Sequence, residues 1–191
     1  LVLYPLLAGL GTPKPVAGLG VQTLAPIQGR VADPRLTARA SSLGYATQAT
    51  GPASPVRAVD PFTKDVAEGV FRLTNQERQR AGLPPLLQDP ALALAARAHS
   101  LDMLERGFFD HVTPEGLTPS DRVAGIHRRL IGAVGENLYK DTQSPPAQPA
   151  LGTERTALTE RTVRSLMASP GHRDNMLRRE FTHLGVGDAY R

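Results

Sequence analysis

Proline placement constrains the fold of this chain more than any other feature. Pro5, Pro13, Pro15, Pro26, Pro34, Pro52 and Pro55 fall among glycines and small residues, and no apolar period persists over residues 1–60. Such a stretch predicts an extended Pro/Gly-rich arm that packs no core of its own. Its Leu, Val, Ile and Tyr content is high for a pure spacer, which makes the arm a candidate to order against a partner or against its own domain. Residues 16–25 and 43–49 have the character of short strands with little to bury.

Beyond residue 60 the prolines mark helix starts instead. In Asp60-Pro61 the carboxylate can accept from orphan amides, and proline at the first helical position loses no needed hydrogen bond. Val66, Ala67, Val70 and Leu73 then recur at helical spacing as far as Arg80, and Gly82 with Pro84-Pro85 ends the helix. Asp89-Pro90 repeats the signal. Leu92, Ala95, Ala96, His99 and Met103 share one face, and Gly107 closes that helix. His99 on an apolar stripe predicts a buried, hydrogen-bonded structural histidine. Phe108-Phe109-Asp110-His111 follows as a turn, and Thr118-Pro119-Ser120-Asp121-Arg122 opens a short helix to about Gly125. Residues 132–139 read as a strand, 141–152 as a loop and 153–168 as a helix. Ser169-Pro170 starts another short helix, with Ser169 as its N-cap, and Leu184-Gly185-Val186-Gly187 begins a strand. Helices flanking a small sheet make a mixed α+β domain over residues 61–191.

Composition narrows the function classes. With 191 residues the chain holds one domain of ordinary size plus an extension. The net charge is only +4 and the basic residues are not interleaved with aromatics, which argues against nucleic-acid binding. The absence of cysteine removes disulfides, thiolate metal sites and thiol catalysis, and leaves the redox compartment open. Residues 1–10 are almost wholly apolar but too short to span a bilayer. They read either as the remnant of a processed signal segment or as an apolar end that docks on something. The leading Leu, where an initiator Met would stand, favours processing or partial coverage.

Several motifs in order carry a family resemblance. Asn75-Gln76-Glu77-Arg78, Gly82-Leu83, Leu86, Asp89, Leu92 and Ala95-Ala96 come first. Ser100, Asp102-Met103, Phe108-Phe109-Asp110-His111, Gly116, Pro119 and Asp121-Arg122 follow. Gly135-Glu136-Asn137-Leu138, Ser169-Pro170-Gly171-His172-Arg173-Asp174-Asn175 and Gly185-Val186-Gly187 complete the set. Together, over roughly residues 62–190, they resemble the CAP superfamily (cysteine-rich secretory protein, antigen 5 and pathogenesis-related 1) in its bacterial SCP-like form.

The resemblance implies an α-β-α sandwich, with a small antiparallel sheet between helical layers and a cleft lined by two histidines and acidic residues. It also implies export, whether periplasmic, cell-surface or extracellular. Carried over by position, His111, Glu136 and His172 are the candidate metal ligands, in a cleft that in the family can hold a divalent metal, often zinc; Asn137, Asn175 and Ser169 support the cleft. The family's second acid has no clear counterpart, since Glu160 lies too far upstream. Leu166 stands where the family usually has Trp. The family's usual final strand, after Gly-Val-Gly, has no counterpart before Arg191, which leaves a sheet edge open. Residues 43–48, with a Tyr-x-Thr-Gln pattern, or a partner protein are the expected source of that strand.

Two imidazoles and a carboxylate could hold zinc and activate a water for hydrolysis. Equally, His172 and Glu136 could pin the cleft walls by hydrogen bonding, with no metal. Ser169 or Ser100 paired with His172 and Glu136 is a weaker nucleophile reading, without a nucleophile-elbow motif. Phe108, Phe109 and the residues around Tyr139 admit a lipid groove, though core packing explains them better. His127 and His183 read as surface or local structural residues. The leading expectation is a non-enzymatic, exported or surface-associated protein with no catalytic residues. It would act as a binding or structural subunit through residues 1–60 and the open sheet edge, in an assembly compatible with a membrane surface but without a transmembrane span. A metal-dependent hydrolase and a small-lipid binder are the alternatives.

Overall fold

A computed structural model describes residues 2–9, 61–126, 132–141 and 151–189. The elements run β1 (Val2–Gly9), α1 (Pro61–Arg80), β2 (Leu87–Gln88), α2 (Pro90–Arg106), α3 (Pro119–Ile126), β3 (Ala133–Glu136), β4 (Tyr139–Lys140), α4 (Leu151–Ala168), α5 (Pro170–Met176) and β5 (His183–Ala189).

The helix boundaries follow the local signals. Gly82, at φ 69°, ends α1, with Leu83 N–H bonded to Arg78 O at 2.9 Å and Gly82 N–H to Gln79 O at 3.0 Å. That pair of bonds is a Schellman ending, in which only glycine takes the left-handed position without strain. Asp89 caps α2 by accepting from the amides of Ala91 and Leu92 at 2.8 and 3.0 Å. Gly107, at φ 71°, closes it. Thr118 and Asp121 bond each other's backbone amides across the start of α3, a reciprocal capping box. Ser169 has the extended dihedrals of an N-cap, but its hydroxyl makes no cap hydrogen bond, so Pro170 at the first helical position is the start signal that acts.

The strands form one sheet in the order β2-β5-β1-β3, with β4 also on β1. All pairings are antiparallel except the two-residue β2–β5 contact, which is parallel and was not anticipated. Helices cover both faces, as an α-β-α sandwich requires. On one side Leu184 and Val186 of β5 join Val66 and Val70 of α1 and Leu158, Val163 and Leu166 of α4. Leu166 is fully buried there, so an aliphatic side chain fills the place where the resemblance led one to expect Trp. On the other side Leu92, Ala95, Ala96 and Met103 of α2 pack with Val123, Val134 and Leu138.

The alternation of β5 sets the spacing of these layers. Gly185 and Gly187 face α2, and a Cβ at either would collide with the helix backbone at Leu92–Ala93 or Ala96–Arg97. Their lack of side chains lets α2 lie directly on the strand. Ser100 secures the contact, donating from its buried hydroxyl to Gly187 O at 3.1 Å.

The vacancy beside β5 is filled from the chain's own beginning. β1 runs antiparallel to β5 from Val2↔Ala189 to Ala8↔His183. Its other side pairs with β3 from Leu6↔Glu136 to Gly9↔Ala133 and with β4 at Val2↔Lys140 and Leu3↔Tyr139. The edge of β5 expected to be open is therefore paired, and Val2–Gly9 are a central strand of the domain rather than part of a separate arm. Residues 43–49, the expected donor, lie outside the described residues, as does the boundary expected at residue 60. Pro5 is a register partner of Val186 on β5, and on its other side it stands opposite the break between β3 and β4 at Asn137–Leu138.

Candidate functional site

His111 sits in the turn after α2, held from three directions. Asp110 accepts from Val112 N–H at 2.9 Å through its side chain. The Asp110 carbonyl lies 3.0 Å from His99 Nε2. Arg122 Nη1 donates to His111 O at 2.8 Å. His99 is thus the structural histidine its position predicted: fully buried, and edge-on to Phe108 at 5.7 Å. Burial, then the charge of Arg122, pushes its pKa down to about 3, so it stays neutral.

Glu136, at the end of β3, is the centre of the site. Its side chain is 1% exposed, and one oxygen lies 2.6 Å from Nδ1 of His111, itself 33% exposed. The other oxygen pairs with Arg122 Nη2, and that guanidinium is also 1% exposed. A carboxylate this deeply buried requires such a partner. Arg122 was legible in the sequence only as a family-motif residue in a short helix. Its place opposite Glu136 depends on α3 folding back over β3, which no local pattern announces.

His172 is brought in from α5 by an asparagine pair. Asn137 Nδ2 donates to His172 O at 3.0 Å. Asn175 Nδ2 donates to Asn137 Oδ1 at 3.0 Å and to Glu136 O at 3.3 Å. The support expected of Asn137 and Asn175 therefore takes the form of a strut between β3 and α5. Burial lowers the pKa of His172, and the neighbouring His111 lowers it further.

The three residues meet in one region. Among the described residues no group of three or more His, Cys, Asp or Glu side chains is placed to hold a metal ion. Both oxygens of Glu136 are committed, one to His111 and one to Arg122. Glu136 here orients His111 and fixes which ring nitrogen is engaged. Of the two serines considered, the Ser100 hydroxyl is buried and donates to Gly187 O. Glu160 pairs with Arg164 on the exposed face of α4 at 3.9 Å, away from this constellation. A separate groove of about 390 Å³ between α1 and α4, lined by Asp65, Glu68, Arg72, Arg155 and Thr159 among others, shares no residue with the site. His183 bonds locally to Thr182 Oγ1 at 2.8 Å, as expected, whereas His127 lies outside the described residues.

Sandwich and site together define the class, and sequence comparison agrees. The model of the cysteine-rich secretory protein (CAP) family matches residues 71–191, and the chain belongs to that family. It is 35% identical over 158 residues to YkwD, an uncharacterized protein of Bacillus subtilis (strain 168), covering 82% of this chain and 52% of that protein. It is 33% identical over 118 residues to YlbC, an uncharacterized membrane protein of the same organism, covering 62% and 30%. An extracellular SCP-domain protein of Bacillus anthracis str. Ames shares 29% identity across 74% of this chain and 42% of its own, with a TM-score of 0.49. The chain spans about half the length, or less, of these relatives. Among the described residues no helix is long and apolar enough to cross a membrane.

Proposed function

We propose that this chain is a non-enzymatic CAP-domain protein, exported or surface-associated, that acts as a binding or structural subunit through residues 10–60 and its domain surface. One observation carries the non-enzymatic part. Both oxygens of Glu136, the acid of the site, are engaged by Arg122 and His111, which supports a bracing role over a catalytic or metal-holding one. The asparagine strut gives the region the character of a brace between β3 and α5. Membership in a secretory family supports export.

The test is metal content and hydrolysis measured together on the full chain. Purified protein dialysed against zinc is expected to retain less than one equivalent. Ester and peptide hydrolysis is expected to stay at background with or without added zinc. Stoichiometric zinc, with activity, both lost in His111→Ala and His172→Ala, would sink the reading in favour of a metal-dependent hydrolase.

A further inference from the structure

The Asn75-Gln76-Glu77-Arg78 motif lies on α1, outside the site, yet its two outer side chains reach across the fold. Asn75 pairs with Leu86 through both ends of its amide, donating to Leu86 O at 3.1 Å and accepting from Leu86 N–H at 2.8 Å. Arg78 is fully buried. Its Nε donates to Pro84 O at 3.0 Å, Nη1 to Met176 O and to Arg178 O at 2.9 Å each, and Nη2 to Phe181 O at 3.3 Å. A buried guanidinium needs its donors satisfied, and here main-chain carbonyls satisfy them instead of a carboxylate.

Three of those carbonyls belong to one short segment, the end of α5 and the turn into β5. α1 and α2 finish at left-handed glycines, Gly82 and Gly107. α5 has no such stop, since its C-cap is Leu177 at φ −99°. Carbonyls left over at a helix end need partners, and they carry partial negative charge. At Met176 and Arg178 the partner comes from another helix, 98 and 100 residues away in sequence.

The same segment touches the site twice. Upstream, α5 carries His172, whose carbonyl accepts from Asn137, and Asn175, which donates to Asn137 Oδ1 and Glu136 O. Downstream, the Phe181 ring lies against Gly135, where a Cβ would come within 2.7 Å of it. Gly135 directly precedes Glu136 on β3. Asn137 thus holds the first turn of α5, and Arg78 holds its end.

We propose that Arg78 is a positioning residue for the candidate site: its guanidinium caps α5 from α1 and fixes residues 176–181, and with them His172, Asn175 and the Phe181 ring against β3. This gives the Asn75–Arg78 motif a role at a site it does not touch. The role goes beyond the subunit reading and does not depend on what the site binds.

Amide hydrogen exchange on the full chain, followed residue by residue by NMR, tests it. Arg78→Met keeps an apolar stem but none of the five donors, and Arg78→Lys keeps the charge without the planar fork. In Arg78→Met the amides of Arg173, Leu177 and Phe181, all hydrogen-bonded in the native fold, should lose at least about tenfold more protection than those of α2, the measure of one lost hydrogen bond to a charged group. The Asn137 side-chain amide signals should shift with them. Arg78→Lys should lie between, and it carries the same contrast if Arg78→Met does not fold. Arg78→Ala adds a recovery test. Guanidinium chloride at millimolar, non-denaturing concentration should restore protection in α5, whereas sodium chloride at equal ionic strength should not. Unchanged exchange in α5 would overturn the proposal. So would an equal loss across α2 and α5 without guanidinium-specific recovery, which would make Arg78 a general core residue.

Discussion

His99 lies on the buried face of α2 with Nε2 3.0 Å from Asp110 O, and burial holds its pKa at about 3. In the unfolded chain a histidine titrates near ~6.5. Below that pH the unfolded state takes up a proton that the folded state refuses. The stability is therefore complete above pH ~6.5 and falls as pH drops towards 3, by up to ~1.4 kcal/mol per pH unit. His172, also lowered by burial, acts in the same direction. Urea titrations should show a loss of about 2 kcal/mol between pH 6.5 and 5, mostly removed in His99→Gln. An unchanged slope in that variant would assign the effect to another group. The Arg122–Glu136 pair makes a second prediction at this scale. Arg122→Met leaves a buried carboxylate with only His111 as partner, and should cost about 3–5 kcal/mol. Arg122→Met combined with Glu136→Leu should recover much of that, because no charge is then left unpaired. If the double variant is as unstable as the sum of the singles, the pair is not the unit described here.

The contact between α2 and β5 is fixed by small residues, as element-scale packing often is. Leu184 and Val186 point into the core under α1 and α4, and the intervening glycines admit the α2 backbone. Gly187→Ala would force the helix off the strand and strain the Ser100–Gly187 hydrogen bond, with a cost of at least about 1–3 kcal/mol from overpacking. Differential unfolding of wild type and Gly187→Ala measures it, and a neutral result would mean that the layers are free to separate. Legibility was uneven at this scale. The caps of α1, α2 and α3 were readable because each is a short-range exchange between a side chain or glycine and nearby amides. β2, two residues long, was not, since nothing local distinguishes Leu87–Gln88 from loop; its bonds come from Thr182 and the start of β5.

In the whole molecule, β1 joins pieces of the fold that the chain order keeps apart. It lies between β5, which carries α1 and α2 on its two faces, and β3 with β4, which bring Glu136 and Asn137 to the site. Glu136 is itself a register partner of Leu6, so the carboxylate is placed by a strand from the opposite end of the sequence. The sheet and the site are thus one mechanical unit. Displacing β1 would loosen the end of β3, and with it the orientation of His111 and the strut to His172.

Proline and glycine punctuation, capping residues and the apolar faces of α1 and α2 determined the helices from the sequence, because those preferences act over four or five residues. The ordered motifs around His111, Glu136 and His172 determined the family in the same way. Tertiary structure alone decided two things. It gave both oxygens of Glu136 to Arg122 and His111, so that the carboxylate orients the imidazole. It also set Val2–Gly9 between β5 and β3, where sequence pointed to an arm. Both outcomes depend on pairings across tens to hundreds of residues, and a local pattern does not encode which distant edge or charge will be left to satisfy.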